Sequence, residues 1–164
     1  MELSKKERWF LSNQYRILEK LYPNKADYYT QCREIVDKGY ELEYDLITDY
    51  IHEPMTSEVC TEVSDILEMY NSLQLGYDAL EDKEGIEESG INFQGFDGNN
   101  ESEQLHYAQF LINKQGRLQD LKHTDGLNTH MPYIGYYRRM LEEWNKSSDK
   151  YNLTKADIVR ITSP

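Results

Sequence analysis

Arg117 and His123, in the run Arg-Leu-Gln-Asp-Leu-Lys-His, are the side chains whose types and spacing most directly suggest chemistry. A guanidinium can grip a phosphate through two parallel hydrogen bonds, and an imidazole titrating near neutrality can take or return a ribose proton. Together they would suffice for RNA cleavage without a metal. The same pair also suits a surface position near a helix end, where cations favour the free carbonyls. His123 belongs to a second grouping, His123-x-Asp125-x4-His130, to which His106 would add another imidazole. Zinc accepts such ligands, but the spacing is not a recognised zinc pattern and no cysteine lies nearby. A solvated polar loop is the expectation there, with no metal and no other cofactor.

The run from Asp97 places side-chain oxygens at the first, third and fifth positions of a calcium loop. Its sixth position is Ser102 where an EF-hand needs Gly, and its twelfth is Ala108 where a bidentate Glu is needed, so an EF-hand is rejected. Asn100 and Glu103 are read instead as helix-capping residues. Walker, G-x-G-x-x-G and G-x-S-x-G patterns are absent, which removes the usual signatures of nucleotide-dependent and serine-hydrolase chemistry. Aromatic residues offer a different possibility. Phe93, Phe96, Tyr133, Tyr136, Tyr137 and Trp144 gather around two irregular stretches. Were those stretches to meet over the helices, they would frame a small-molecule pocket. The candidate ligand-binding residues are Phe96, Arg117, His123, Asn128, His130, Tyr137 and Trp144. The alternative puts Tyr137 and Trp144 in the core and the other aromatics over its edge.

The elements that must position these groups are helical. Ser4-Lys-Lys-Glu7 is a capping box, and Phe10, Ile17, Leu18 and Leu21 follow at helical spacing until Pro23. A second helix is predicted over 24–38, with Tyr28, Cys32, Ile35 and Val36 inward and Gly39 closing it. A third, about 41–52, carries Leu42, Leu46, Ile47 and Ile51. The longest runs over 57–80, where Cys60, Val63, Leu67, Tyr70, Leu73, Tyr77 and Leu80 advance by threes and fours. Residues 81–100 then read as a long acidic loop containing Gly85, Gly90, Gly95 and Gly98, with one extended piece at 91–93. A helix with Leu105, Ala108, Leu111 and Ile112 inward is predicted next, ending near Gly116. Residues 117–131 are irregular. Pro132 opens a helix bearing Ile134, Tyr137, Met140, Leu141 and Trp144, and Thr154-Lys-Ala-Asp157 caps a last one containing Ile158 and Ile161. The expected fold is all-α, a single domain over 1–164 with six or seven helices.

Charge is segregated along the chain. Residues 41–103 hold 18 Asp and Glu against Lys83 alone, a net −17, whereas 1–40 and 104–164 carry +2 and +3 within an overall −12. Such a field opposes phosphate backbones and makes direct DNA binding an unfavoured function, while a basic protein partner would be attracted. A solvated acidic face is the simpler reading. Apolar residues are 38%, and 14 Tyr add bulk that can pack with the hydroxyl still in water, favouring a folded domain. Tyr-rich surface also suggests a homo-oligomer. No apolar run approaches the ~18 residues of a membrane span, and the N-terminus lacks a signal-peptide pattern, so a cytoplasmic protein is expected. Cys32 and Cys60 are isolated, as reduced apolar fillers usually are.

Several strings occurring in order make the chain resemble the YfbU family. They are Leu11-Ser-Asn-Gln-Tyr15, Asp65-Ile-Leu-Glu-Met-Tyr70, Phe93-Gln-Gly-Phe-Asp97, Gly116-Arg117, and Tyr137-Arg-Arg-Met-Leu141 with Trp144. The resemblance covers essentially the whole chain. It implies a small, largely helical protein of bacterial or archaeal type, from a family with no established biochemical activity. Some members join this domain to a helix-turn-helix, which implies a sensory or ligand-binding role. With no stretch left for such a partner domain, output is expected to pass through self-association or another protein. The combined reading is a non-enzymatic ligand- or protein-binding regulatory module. The alternative is a metal-independent endoribonuclease, because Arg117 and His123 resemble the Arg-x(4–6)-His motif of HEPN-type enzymes.

Overall fold

Ser4 opens the first helix as its position implies. Its hydroxyl oxygen accepts the Glu7 N–H at 3.3 Å, and the Glu7 carboxylate accepts the Ser4 N–H at 2.8 Å. A computed structural model describes residues 2–164, and among these it contains eight α-helices and no β-strand. They are α1 Lys5–Leu21, α2 Ala26–Lys38, α3 Asp45–Thr48, α4 Ser57–Ala79, α5 Glu88–Ile91, α6 Ser102–Gln109, α7 Ile134–Trp144 and α8 Lys155–Thr162. The all-α class is as the sequence indicated. The count exceeds six or seven because α3 and α5 are short, and α5 interrupts what read as one continuous acidic loop. The chain divides into two compact units, Met1–Pro54 and Met55–Pro164.

In the first unit α1 packs on α2, and Gly39 closes α2 in the left-handed conformation at φ 71°. Its core is Tyr15, Cys32, Ile35, Val36, Tyr44 and Ile47, with Leu11, Leu18 and Tyr29 packed against it. Phe10, Ile17, Leu21 and Tyr28, expected inward, are exposed. The physical reason is that α1 is apolar on two faces, and the one bearing Ser12 and Tyr15 is buried. The helix expected over 41–52 is reduced to a 3-10 turn, Glu41–Glu43, followed by the single turn of α3. Glu41, Asp45, Asp49 and Glu53 recur at i, i+4, so a continuous helix would stack four carboxylates on one face.

In the second unit α4 is buried nearly all round. Val63, Ile66, Leu67, Met69, Tyr70, Leu73, Gln74 and Gly76 all lie inside, more than the single stripe read from the sequence. Around it pack Leu105, Ala108, Leu111 and Ile112 near α6, Tyr137, Met140 and Trp144 of α7, and Ile158 and Ile161 of α8. The Thr154–Asp157 box caps α8 as predicted. Asn100 does not cap α6; its amide donates to the Asp97 carboxylate instead.

The two irregular stretches meet as short parallel pairings. The Phe93 N–H donates to Lys122 O at 3.1 Å and Thr124 N–H to Phe93 O at 3.0 Å. Phe96 repeats the pattern with Leu127 O at 2.9 Å and Thr129 N–H at 3.2 Å. Gln74 reaches them from α4. Its amide nitrogen donates to Ile91 O and Lys122 O at 3.0 and 2.8 Å, and its oxygen accepts the Lys122 N–H at 2.8 Å. Gly95 sits at φ 100°, where a Cβ would fall 2.0 Å from Leu127 O. Four ion pairs tie acidic residues on and just after α4 to bases later in the chain: Glu62–Arg138, Glu68–Arg117, Asp78–Lys122 and Asp82–Lys155. The segregated sequence charge is thus partly compensated within this unit.

Replacing Gln74 with Leu leaves buried backbone groups of two segments unpaired, and a loss of about 2–4 kcal/mol is expected in urea unfolding. Gly95→Ala should cost about 3 kcal/mol or more, because backbone must move. Gly126→Ala is the control: it has a similarly positive φ of 71° but open space around it, so a cost of about 1–2 kcal/mol is expected. Equal losses for the two glycines would show that close approach to Leu127 is not what Gly95 provides.

Candidate ligand pocket

Glu101 explains how the start of α7 is placed. It is buried, and one carboxylate oxygen accepts the Tyr133 and Ile134 N–H groups at 2.8 and 2.7 Å. The other accepts the Asp97 N–H at 2.9 Å. A carboxylate at a helix N-terminus satisfies donors the helix itself leaves open. This fixes Tyr133 and Tyr136 beside the segment that leads to Phe93. Tyr136 donates its hydroxyl to Thr162 O at 2.9 Å, tying α7 to the last turn of α8. Gln94 folds back, its amide nitrogen donating to Asn92 O at 2.9 Å and Ser89 O at 3.3 Å.

These elements surround an open cavity of about 580 Å³ within the second unit. Tyr70, Tyr133 and Tyr136 supply aromatic wall, Gln94, Ser89, Thr162 and Ser163 supply amide and hydroxyl groups, and Glu87 stands at the rim. No Lys or Arg lines it. Arg139 is near, but its guanidinium lies 5.6 Å from the centre of the Tyr136 ring. Burial pushes the Tyr70 and Tyr136 phenols above their ordinary range, so both stay neutral at physiological pH. The Tyr70 hydroxyl is held by Met140 Sδ at 3.5 Å. The Tyr133 hydroxyl, by contrast, has no hydrogen-bond partner among the described residues, although its ring packs 5.6 Å from Tyr137. The cavity therefore presents a free phenol and the Ser89 and Ser163 hydroxyls to whatever enters, while the Gln94 amide and the Thr162 hydroxyl already have partners in the protein.

The seven residues singled out from the sequence lie elsewhere. Phe96, Tyr137 and Trp144 are buried in the core. Phe96 stands edge-on to Tyr137 at 5.6 Å, Tyr137 donates to Gly95 O at 2.8 Å, and the Trp144 indole donates to Lys150 O at 3.2 Å. Asn128 shapes a turn, its side-chain oxygen accepting the Gly98 and His130 N–H groups at 3.1 and 3.0 Å. His130 is exposed, at φ 55°. Arg117 reaches Glu68 at 3.5 Å, while His123 is exposed with Nδ1 3.0 Å from Thr124 O. Within one chain the two side chains have different partners. No group of three or more His, Cys, Asp or Glu side chains is disposed to hold a metal among the described residues. Tyr133 and Tyr136 were legible as aromatics beside an irregular segment. Gln94 and the end of α8 carried no signal, since only the fold brings them together.

These features define an all-helical protein with a polar, aromatic-walled cavity in its larger unit. The YfbU domain model matches residues 1–163, across both units, and the chain belongs to the YfbU family.

The Asp97 carboxyl is held below its ordinary value near 3.8, first by the Asn100 amide and then by the Asn99 N–H. A depressed folded-state pKa gives stability that is present above about pH 4 and lost as the pH falls through the folded value. Thermal melts of wild type and Asp97→Asn should therefore differ at pH 6 and converge in acid. A gap that does not change with pH would mean that the Asp97 charge contributes nothing through these bonds.

Proposed function

We propose that this protein is a non-enzymatic, cytoplasmic binding module that takes a small molecule into the cavity beside Tyr133 and Tyr136. The observation that carries the reading is the unpartnered Tyr133 hydroxyl at a cavity whose size suits a small-molecule site. Lacking lining cations, the cavity favours a neutral or positively charged compound bearing hydroxyl or amino groups and a flat face for the rings. A phosphate-rich ligand would meet Glu87 with no lining Lys or Arg to balance it. Occupancy would bridge the 85–94 segment to the ends of α7 and α8, giving ligand binding a structural readout. No helix among the described residues is long and apolar enough to cross a membrane.

A thermal-shift panel of amino acids, polyamines, nucleosides and sugars is expected to contain at least one stabilising compound. Tyr133→Phe should reduce that shift by removing one hydrogen bond of about 1 kcal/mol, and Ser89→Trp should abolish it by filling the mouth. Both variants should keep the unliganded melting temperature within a few degrees. If every compound is silent with wild type, or if Ser89→Trp responds as wild type does, the cavity is not the binding site.

A further inference from the structure

We propose that the first unit docks on a second copy of the same chain, with α1 of each copy lying on residues 41–53 of the other. At both surfaces sequence expectation and burial disagree. On α1, Phe10, Ile17 and Leu21 form a stripe at i, i+7, i+11, and these side chains are 51%, 51% and 65% exposed. Trp9 lies beside them, also exposed. In residues 41–53 the exposed apolar set is Leu42, Leu46, Tyr50 and Ile51, with Leu42 at 95%. Isolated exposed apolar residues need no explanation, but two groups of four in a unit this small do.

Charge decides what covers them. Beside the α1 stripe, Lys6 lies 6.0 Å from the centre of the Phe10 ring and Lys20 adjoins Leu21, with Glu7 the exposed acid on the same face; neither lysine belongs to a salt bridge among the described residues. Residues 41–53 carry Glu41, Glu43, Asp45, Asp49 and Glu53, all exposed and equally without an ion-pair partner, and contain no Lys or Arg. Glu62, Glu68, Asp78 and Asp82 each find a base, whereas none of the five acids in 41–53 does. Each copy thus offers one basic apolar surface and one acidic apolar surface. Two-fold symmetry satisfies both at once, because the same pair of contacts forms twice. A basic surface laid on 41–53 would also screen the carboxylates whose i, i+4 repulsion limits α3 to one turn.

The test uses the full chain and two charge-reversed variants, Lys6→Glu/Lys20→Glu and Asp49→Lys/Glu53→Lys. Light scattering across about 1–100 µM should give a two-chain mass for wild type. Each variant alone should associate about tenfold or more weakly, because like charges then face each other at both contacts. An equimolar mixture of the two should recover the two-chain mass, since Glu now meets Lys at one contact and the native pairing survives at the other. Phe10→Glu/Ile17→Glu should abolish association, and circular-dichroism melts should show all three variants folded. The proposal is overturned by a wild-type chain that stays monomeric, which would leave the face to another occupant such as a different protein. It is overturned equally by variants that dimerise as wild type does, or by a mixture that fails to associate.

Discussion

The amide of Gln74 is the interaction on which the second unit depends. It is a polar side chain on the most buried helix of the protein, and it faces backbone rather than water. Two irregular segments must cross the core at this point, and irregular backbone cannot satisfy its own N–H and C=O groups. Gln74 offers both a donor and an acceptor in one planar group, so it can serve Ile91 and Lys122 together. Gly95 then allows the second pairing to close against Leu127, and Tyr137 anchors the Gly95 carbonyl from α7. The Phe93, Phe96, Tyr70 and Tyr137 rings pack in mutual contact, with centroids 5.3–5.7 Å apart, over this polar framework. Neither layer is stable alone: the rings need the segments fixed, and the segments need the rings to cover them.

A cavity beside such a framework has a defined chemistry. Tyr70, Tyr136 and Tyr137 each have a hydroxyl partner inside the protein, so their phenols serve the fold. Tyr133 has the same ring environment without the partner. Glu101 positions it through the backbone, which leaves the side chain uncommitted. That division of labour separates a wall residue from one available to bind.

Local signals in the sequence were legible where the cause is local. The Ser4 and Thr154 boxes and the Gly39 terminus are each specified within a few residues and are found in place. Glu101 was missed because its helix-capping partners are 32 and 33 residues away, beyond any periodicity. Gln74 was missed for a similar reason, since a polar residue on a long amphipathic helix is ordinarily read as its solvent face. The aromatic residues were correctly associated with the irregular segments, but spacing cannot tell which rings face inward. Phe96 and Tyr137 turned into the core, and Tyr133 and Tyr136 to the cavity.

The α1 face and residues 41–53 failed for a different reason. A hydrophobic stripe at helical spacing says that a face is to be covered, without saying by what. In α1 two such faces exist, and the core of the first unit buries one of them. The acidic block shows the same division. From α4 onward Glu62, Glu68, Asp78 and Asp82 meet bases from later in the chain, so the acidic charge is partly compensated there. Between 41 and 53 no base is supplied, and there the helix expected from apolar spacing shortens to α3. Exposed apolar bulk, unpaired charge and truncated local structure therefore coincide in one stretch. Each has a separate physical cost, and a basic apolar surface laid over this stretch would lower all three.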